Sequence, residues 1–369
     1  MVMLEFLEQL RETYDTGPMV VVGALIVGGL FGVVAEISRY CMRASVAEHV
    51  GQQSQDKPRS RTLQVLFALL VALAGTQLLH ANGLIDLGSA IHWSVSIKPL
   101  ALIVGGGLFG IGMVLAGGCV SRLLVLAASG NVRSWITLLI TGLAGYATLR
   151  GLLSYPRIWL ESLWDTESTG ADILVSSGTL PLVTAAIALV VGTLAVIFMR
   201  QDRSTTPWGS IVSGALVGLL VVAAWVVTGV IGADEFEPTP LSALSFVAPV
   251  GETVQYFMIF TGDTIRFSIA LVLGVLAGAA ISAVIGGRFR FSGFVDEKSI
   301  LRYIAGGALM GFGGVTALGC SVGQGLSGVS TASPASILAL TSIVLAAYAT
   351  MKLQSAVPAS DTTRFVAAE

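Results

Sequence analysis

Three cysteines, Cys41, Cys119 and Cys320, are the only ones in a chain of 369 residues. Each closes the same spacing, Gly-x3-Gly-x8-Cys: Gly28 and Gly32 lead to Cys41, Gly106 and Gly110 to Cys119, Gly307 and Gly311 to Cys320. A fourth copy, Gly214 and Gly218, places Val227 in the cysteine register. The thiols are far apart in sequence, lack a C-x-x-C arrangement and have no neighbouring histidine, so a zinc site or a thiol redox pair has no support in the spacing. Thiols repeated in one register of an apolar chain instead offer soft, neutral, polarizable donors.

The residues around them add hard donors. Cys119 lies in "GGCVSR", with Gly118 before it and Ser121 and Arg122 after it, and Cys320 lies in "LGCSVGQGLSG", with Gly319, Ser321 and Gln324 beside it. Glycines flanking a cysteine free backbone N–H groups to face a ligand, and arginine, hydroxyl and amide groups suit an anion. The candidate binding set is therefore Cys41, Cys119, Cys320, Gly118, Ser121, Arg122, Gly319, Ser321 and Gln324. Plainer readings stand beside it. A buried cysteine also serves as a small hydrophobe, Arg39 and Arg122 also snorkel to an interface, Glu36 also pairs with Arg39, and Gly-x3-Gly also serves helix packing alone.

The elements that position these groups follow from composition. The chain is 54% hydrophobic and 11% charged, with a mean hydropathy of +0.84. This predicts an all-α integral membrane protein with about nine transmembrane helices, near residues 19–35, 62–80, 100–117, 134–150, 180–199, 208–231, 265–286, 300–318 and 335–353. Several are short, as broken helices are. The segment 1–18 carries acidic residues and Leu4, Leu7 and Leu10 on one face, which predicts an interfacial amphipathic helix and no signal peptide. A net charge of −2 gives no reason to expect nucleic-acid binding, and nothing in the pattern requires a cofactor or metal.

Basic residues gather near Arg43 to Arg61, at Arg200 and Arg203, and at Arg288 to Arg302, whereas acidic residues fill the stretches near 161–172 and 234–237. The positive-inside rule makes the basic loops cytoplasmic, so the amino terminus lies outside and the carboxyl terminus inside. With five spans before the polar junction near residues 200–207, the motif helices of the two halves run in opposite senses. The expected organisation is a first membrane half-repeat over 19–200, a second over 207–353 and a carboxyl-terminal tail over 354–369. Inverted repeats place substrate near the midplane, at discontinuous helices.

At "GGCVSR", "ALGCSVGQGLSG", "ISRYCMR" and the cysteine-lacking "GALVGLLVVAAWVVTG" the sequence resembles the YeeE/YedE family of bacterial inner-membrane sulfur-compound transporters. The resemblance spans about residues 20 to 352. It implies an hourglass-like bundle whose pseudo-symmetric buried loops dip to the centre, with thiosulfate passing Cys41, Cys119 and Cys320. It also implies a cytoplasmic sulfur carrier of the TusA type as partner, beside membrane lipid. The connections 43–61 and 151–179 are longer than in a minimal member.

The function expected is uptake of thiosulfate, or of a closely related sulfur anion, through a row of weak sites and without catalysis. The alternative is a membrane sulfurtransferase or thiol-relay enzyme forming a persulfide on one cysteine, which requires an activated thiolate. Because Val227 fills the fourth register, a thiol is not needed in every quadrant, which ranks Cys41 below the other two.

Overall fold

The computed structural model describes residues 16–50, 60–166, 180–201, 208–234, 239–259, 264–293 and 297–356. The chain is an all-α integral membrane protein: apart from isolated bridges such as Asn131 with Ser292, the described residues form helices, turns and loops. Its principal helices are α1 (Thr16–Ser38), α2 (Met42–Ala47), α3 (Ser60–Ala81), α4 (Pro99–Leu115), α5 (Val120–Ala128), α6 (Val132–Arg150) and α7 (Ser154–Ser162). They continue with α8 (Leu180–Gln201), α9 (Trp208–Val226), α10 (Val247–Met258), α11 (Phe267–Ile285), α12 (Glu297–Thr316) and α13 (Pro334–Ala356).

Among the described residues, eight helical stretches are long and apolar enough to cross a membrane. The ninth expected span corresponds to the shorter apolar part of α12, Ile300–Thr316, which stops early because the chain turns before Cys320. Most of the expected amphipathic segment 1–18, residues 1–15, lies outside the described residues, as do the tail from 357 and parts of both long connections. The described parts of those connections form α2 and α7.

The motif helices share a way of ending. α1, α4 and α12 each give way to a left-handed residue two positions before the cysteine: Arg39 (φ 53°), Gly117 (φ 77°) and Leu318 (φ 57°). Only one of these is glycine, so the other two need external support. At Leu318 the helix end supplies it, since the Leu318 N–H donates to Val315 O at 3.0 Å and the Gly319 N–H to Gly314 O at 2.7 Å, the paired bonds of a Schellman ending. At Arg39 the support comes from Arg61, whose guanidinium donates to Ser38 O at 3.3 Å and to Arg39 O.

After each break a shorter helix begins: Cys41 precedes α2, Cys119 precedes α5, and Cys320 precedes a wide, π-type segment over Gly323–Gly328. The fourth motif behaves differently. α9 runs directly into a π-type turn, Val227–Ile231, so Val227 sits within continuous helix and the missing thiol coincides with a missing break.

The paired glycines of all four motifs serve close helix approach. A β-carbon on Gly110 sits 2.5 Å from Ile343 O, on Gly311 2.5 Å from Thr141 O, and on Gly218 2.5 Å from Ala68 O. On Gly32 it meets the Val275 carbonyl and, at 2.8 Å, Ala279 N. Backbone atoms of the neighbour are already where a side chain needs to go. Both glycines of each motif face successive turns of one partner: Gly28 and Gly32 face Leu271 and Val275, Gly214 and Gly218 face Gln64 and Ala68. Likewise Gly106 and Gly110 face Ala339 and Ile343, and Gly307 and Gly311 face Thr137 and Thr141.

Residue numbers rise together in each pair, so α1 runs parallel to α11, α9 to α3, α4 to α13 and α12 to α6. Each pair joins the first half of the chain to the second. α4 and α12 cross at the centre in opposite senses, with Gly105 against Gly313 and Ala317, and Gly112 against Gly306 and Met310. The hydroxyl of Thr16, at the start of α1, donates to Asp234, beyond the end of the α9 run, at 2.7 Å, so these motif helices are also opposed. The inversion expected from the span count is thus built into the packing. α8 lies at the margin of the bundle with most of its length exposed, and it reverses the chain between the halves.

Candidate functional site

The three breaks bring the thiols together. Cys41 is 6% exposed, Cys119 0% and Cys320 1%, and none forms a disulfide. The Cys41 and Cys119 thiols lie within electrostatic reach of each other. The Ser121 hydroxyl lies 3.2 Å from the Cys119 sulfur, and the Arg122 backbone N–H and the Ser321 side chain adjoin the same sulfur. The Cys320 sulfur accepts from the Gly323 N–H at 3.3 Å, with the Val322 and Phe246 amides beside it.

Helix starts account for these amide contacts. Cys119 occupies the cap position of the nine-residue α5 with extended backbone (ψ 166°), so the unbonded N–H groups of the first turn open around its sulfur. Cys41 caps α2 in the same manner, also extended (φ −162°). Its short helix is anchored at the far end by Glu48, whose carboxylate accepts from the Arg61 and Thr62 N–H groups at 2.9 Å each and from the Thr62 hydroxyl at 2.7 Å. Glu48 thereby caps α3 from outside that helix, and Arg61, at the same end of α3, grips the turn before Cys41.

The remaining expected residues fall on two sides of this cluster. Arg122 is half-buried on α5, within electrostatic reach of Cys41, Glu36 and Arg61, and its guanidinium makes no hydrogen bond or ion pair among the described residues. Gly118 and Gly319 are buried immediately before their cysteines. The Gln324 amide donates to Ala317 O at 2.7 Å, tying the segment after Cys320 to the end of α12, and its side-chain oxygen is buried without a partner. The Ser321 hydroxyl is likewise buried without a hydrogen bond of good geometry.

One reading changes. Glu36 does not pair with Arg39; the loop after α11 returns beside α1, and Arg288 on that loop occupies both oxygens of the Glu36 carboxylate. Sequence reasoning also missed Tyr40 and Arg61. Tyr40 is 1% exposed, lies within electrostatic reach of all three thiols, and has a hydroxyl with no partner. The signal was present in the repeat register, where Tyr40 stands against Gly118 and Gly319. Among the described residues no group of three His, Cys, Asp or Glu is arranged to hold a metal.

The arrangement can hold a small anion with sulfur character: soft contacts from thiols, hydrogen bonds from hydroxyls and freed amides, and one uncommitted guanidinium nearby. Two curated proteins are similar to this chain over most of their length. The thiosulfate transporter TsuA of Escherichia coli (strain K12) is 26% identical over 326 residues, covering 83% of this chain and 86% of that protein. The thiosulfate transporter TsuA of Spirochaeta thermophila is 27% identical over 337 residues, covering 87% and 95%. The family model described as sulphur transport matches residues 37–349, a stretch that contains all three thiols and all three helix breaks, and the chain accordingly belongs to the sulphur transport (YeeE/YedE) family.

Proposed function

We propose that this protein takes up thiosulfate across the bacterial inner membrane along a path lined by Cys41, Cys119, Cys320, Gly118, Ser121, Arg122, Gly319, Ser321 and Gln324. The observation that carries this reading is the convergence of three thiols from three separate helix breaks on one buried locus. The soft terminal sulfur of thiosulfate suits neutral S–H groups, and its oxygens suit Ser121, Ser321, Arg122 and the amides that open at each helix start. Several modest contacts in series let the ion enter and leave, which one tight cage does not.

Moving a dianion towards a negative interior costs ~4.6 kcal/mol per 100 mV, at ~2.3 kcal/mol per charge. Entry is therefore drawn by an outward excess and by consumption within, and a cytoplasmic sulfur carrier of the TusA type is the fitting consumer. The basic loops face that carrier, with the amino terminus outside and the carboxyl terminus cytoplasmic. The halves 19–200 and 207–353 act as interlocked repeats around one path. On this reading the protein transports its substrate without chemical change, and the alternative is an enzyme that forms a persulfide on one of the cysteines.

Purified protein in liposomes tests the reading. Internal accumulation of intact labelled thiosulfate, saturable and absent from empty vesicles, is the expected result. No flux above empty vesicles, or persulfide on a cysteine with sulfite released, overturns it.

A further inference from the structure

The chain builds one cysteine turn differently from the other two. Residues 118 and 319, immediately before Cys119 and Cys320, are glycines, whereas residue 40, before Cys41, is tyrosine. The turn that delivers Tyr40 is the one made by a non-glycine left-handed residue, Arg39, and it is held in place by Arg61. Structure is thus spent on placing this side chain inside.

Tyr40 is among the largest fully buried side chains of the protein. Its ring fills space that phenylalanine fills equally well, yet its hydroxyl is buried without a hydrogen-bond partner, while all three thiols lie within electrostatic reach. A buried hydroxyl is ordinarily paired. Among thiols, which are weak donors and weak acceptors, a phenol is the strongest neutral donor present.

We infer that the Tyr40 hydroxyl is a further substrate-contacting donor, one that bonds an oxygen of thiosulfate while the thiols meet its terminal sulfur. This rests on the transport reading above and deepens it, because it gives the ion an orientation. The fourth register contributes no thiol, and the phenol adds a hydroxyl donor to the three thiols. A site with both a hard donor and soft contacts selects an anion that has both ends, and so discriminates against sulfate, which lacks the soft end, and against a hydrosulfide, which lacks the oxygens.

The test compares wild type with Tyr40→Phe in liposomes, and measures melting temperature in detergent with and without thiosulfate. The substitution removes one oxygen and leaves the packing. The expected result is a KM for thiosulfate raised about tenfold, the scale of a lost bond to a charged group. The unliganded melting temperature stays at the wild-type value, and the stabilisation by thiosulfate shrinks. A wild-type KM in Tyr40→Phe overturns the inference, as does a lowered unliganded melting temperature with KM unchanged, which assigns the hydroxyl to structure. If wild type itself shows no flux, the transport reading fails and takes this inference with it. Flux in wild type with an indifferent Tyr40→Phe strikes the inference alone.

Discussion

Glu36 and Arg288 form a two-point ion pair, with Arg288 Nε 2.8 Å from one carboxylate oxygen and Nη2 2.6 Å from the other. The Ser282 hydroxyl donates to the same carboxylate at 2.9 Å. The pair joins the last turn of α1 to the loop after α11, and so fixes the two parallel helices whose glycines interlock. Glu36 is 7% exposed and Arg288 45%, so solvent screens one partner and not the other.

This geometry makes Glu36 a clamp rather than a proton carrier. Arg288→Gln, which leaves the Glu36 carboxylate buried with only Ser282, is expected to lower the melting temperature. Glu36→Gln is expected to lower it less and to retain thiosulfate flux. Melting curves and liposome uptake on both variants check this. Loss of flux in a well-folded Glu36→Gln contradicts it.

The motif glycines give a second prediction. Gly110→Ala and Gly311→Ala each push a methyl to 2.5 Å from a carbonyl of the facing helix, which forces α4 from α13 and α12 from α6. Each is expected to lose at least about 2 kcal/mol, the upper part of the range for overpacking. Gly192, with nothing within 4 Å of its added β-carbon, is the control: Gly192→Ala should be neutral or stabilising by up to about 1 kcal/mol. Equal stability of all three variants defeats the packing account.

His92 predicts a pH dependence. It lies between the spans in the turn Ile91–Ser94, 7% exposed, and burial pushes its pKa down from 6.5 to about 4. The folded state thus holds the imidazole neutral while the unfolded chain binds a proton below about pH 6.5. Stability is complete above that pH and is lost as pH falls towards 4, by about 3 kcal/mol at 1.36 kcal/mol per unit. His92→Phe, which does not titrate, should flatten this part of the profile of melting temperature against pH between 7 and 4.5. An identical profile in the variant contradicts the assignment.

Much of the architecture was legible because it rests on local rules. Hydropathy marks the spans, and the Gly-x3-Gly-x8-Cys register marks both the close helix contacts and the positions of the breaks. Opposed motif helices follow from counting spans. What sequence did not reveal depends on partners distant in the chain. Glu36 is three residues from Arg39, so proximity suggests that pair, while the observed partner lies 252 positions away. The left-handed Arg39 and Leu318 carry no glycine signal, because Arg61 and the Schellman bonds substitute for one. Tyr40 reads as an ordinary aromatic until its hydroxyl is seen to lack a partner among three thiols.

The central claim is that neutral thiols, and not generic anion-binding groups, line the path. Labelled thiosulfate uptake into liposomes by the single Ser and Ala variants of Cys41, Cys119 and Cys320, normalised to inserted protein, tests it most directly. Serine keeps the size and offers a stronger hydrogen-bonding hydroxyl but lacks the soft sulfur. The account predicts that Cys119→Ser and Cys320→Ser lose flux nearly as fully as the corresponding Ala variants, while all insert normally, and that Cys41→Ser is impaired as well. Full transport by Cys119→Ala and Cys320→Ala, or serine variants that carry thiosulfate as well as wild type and admit sulfate equally, contradicts it.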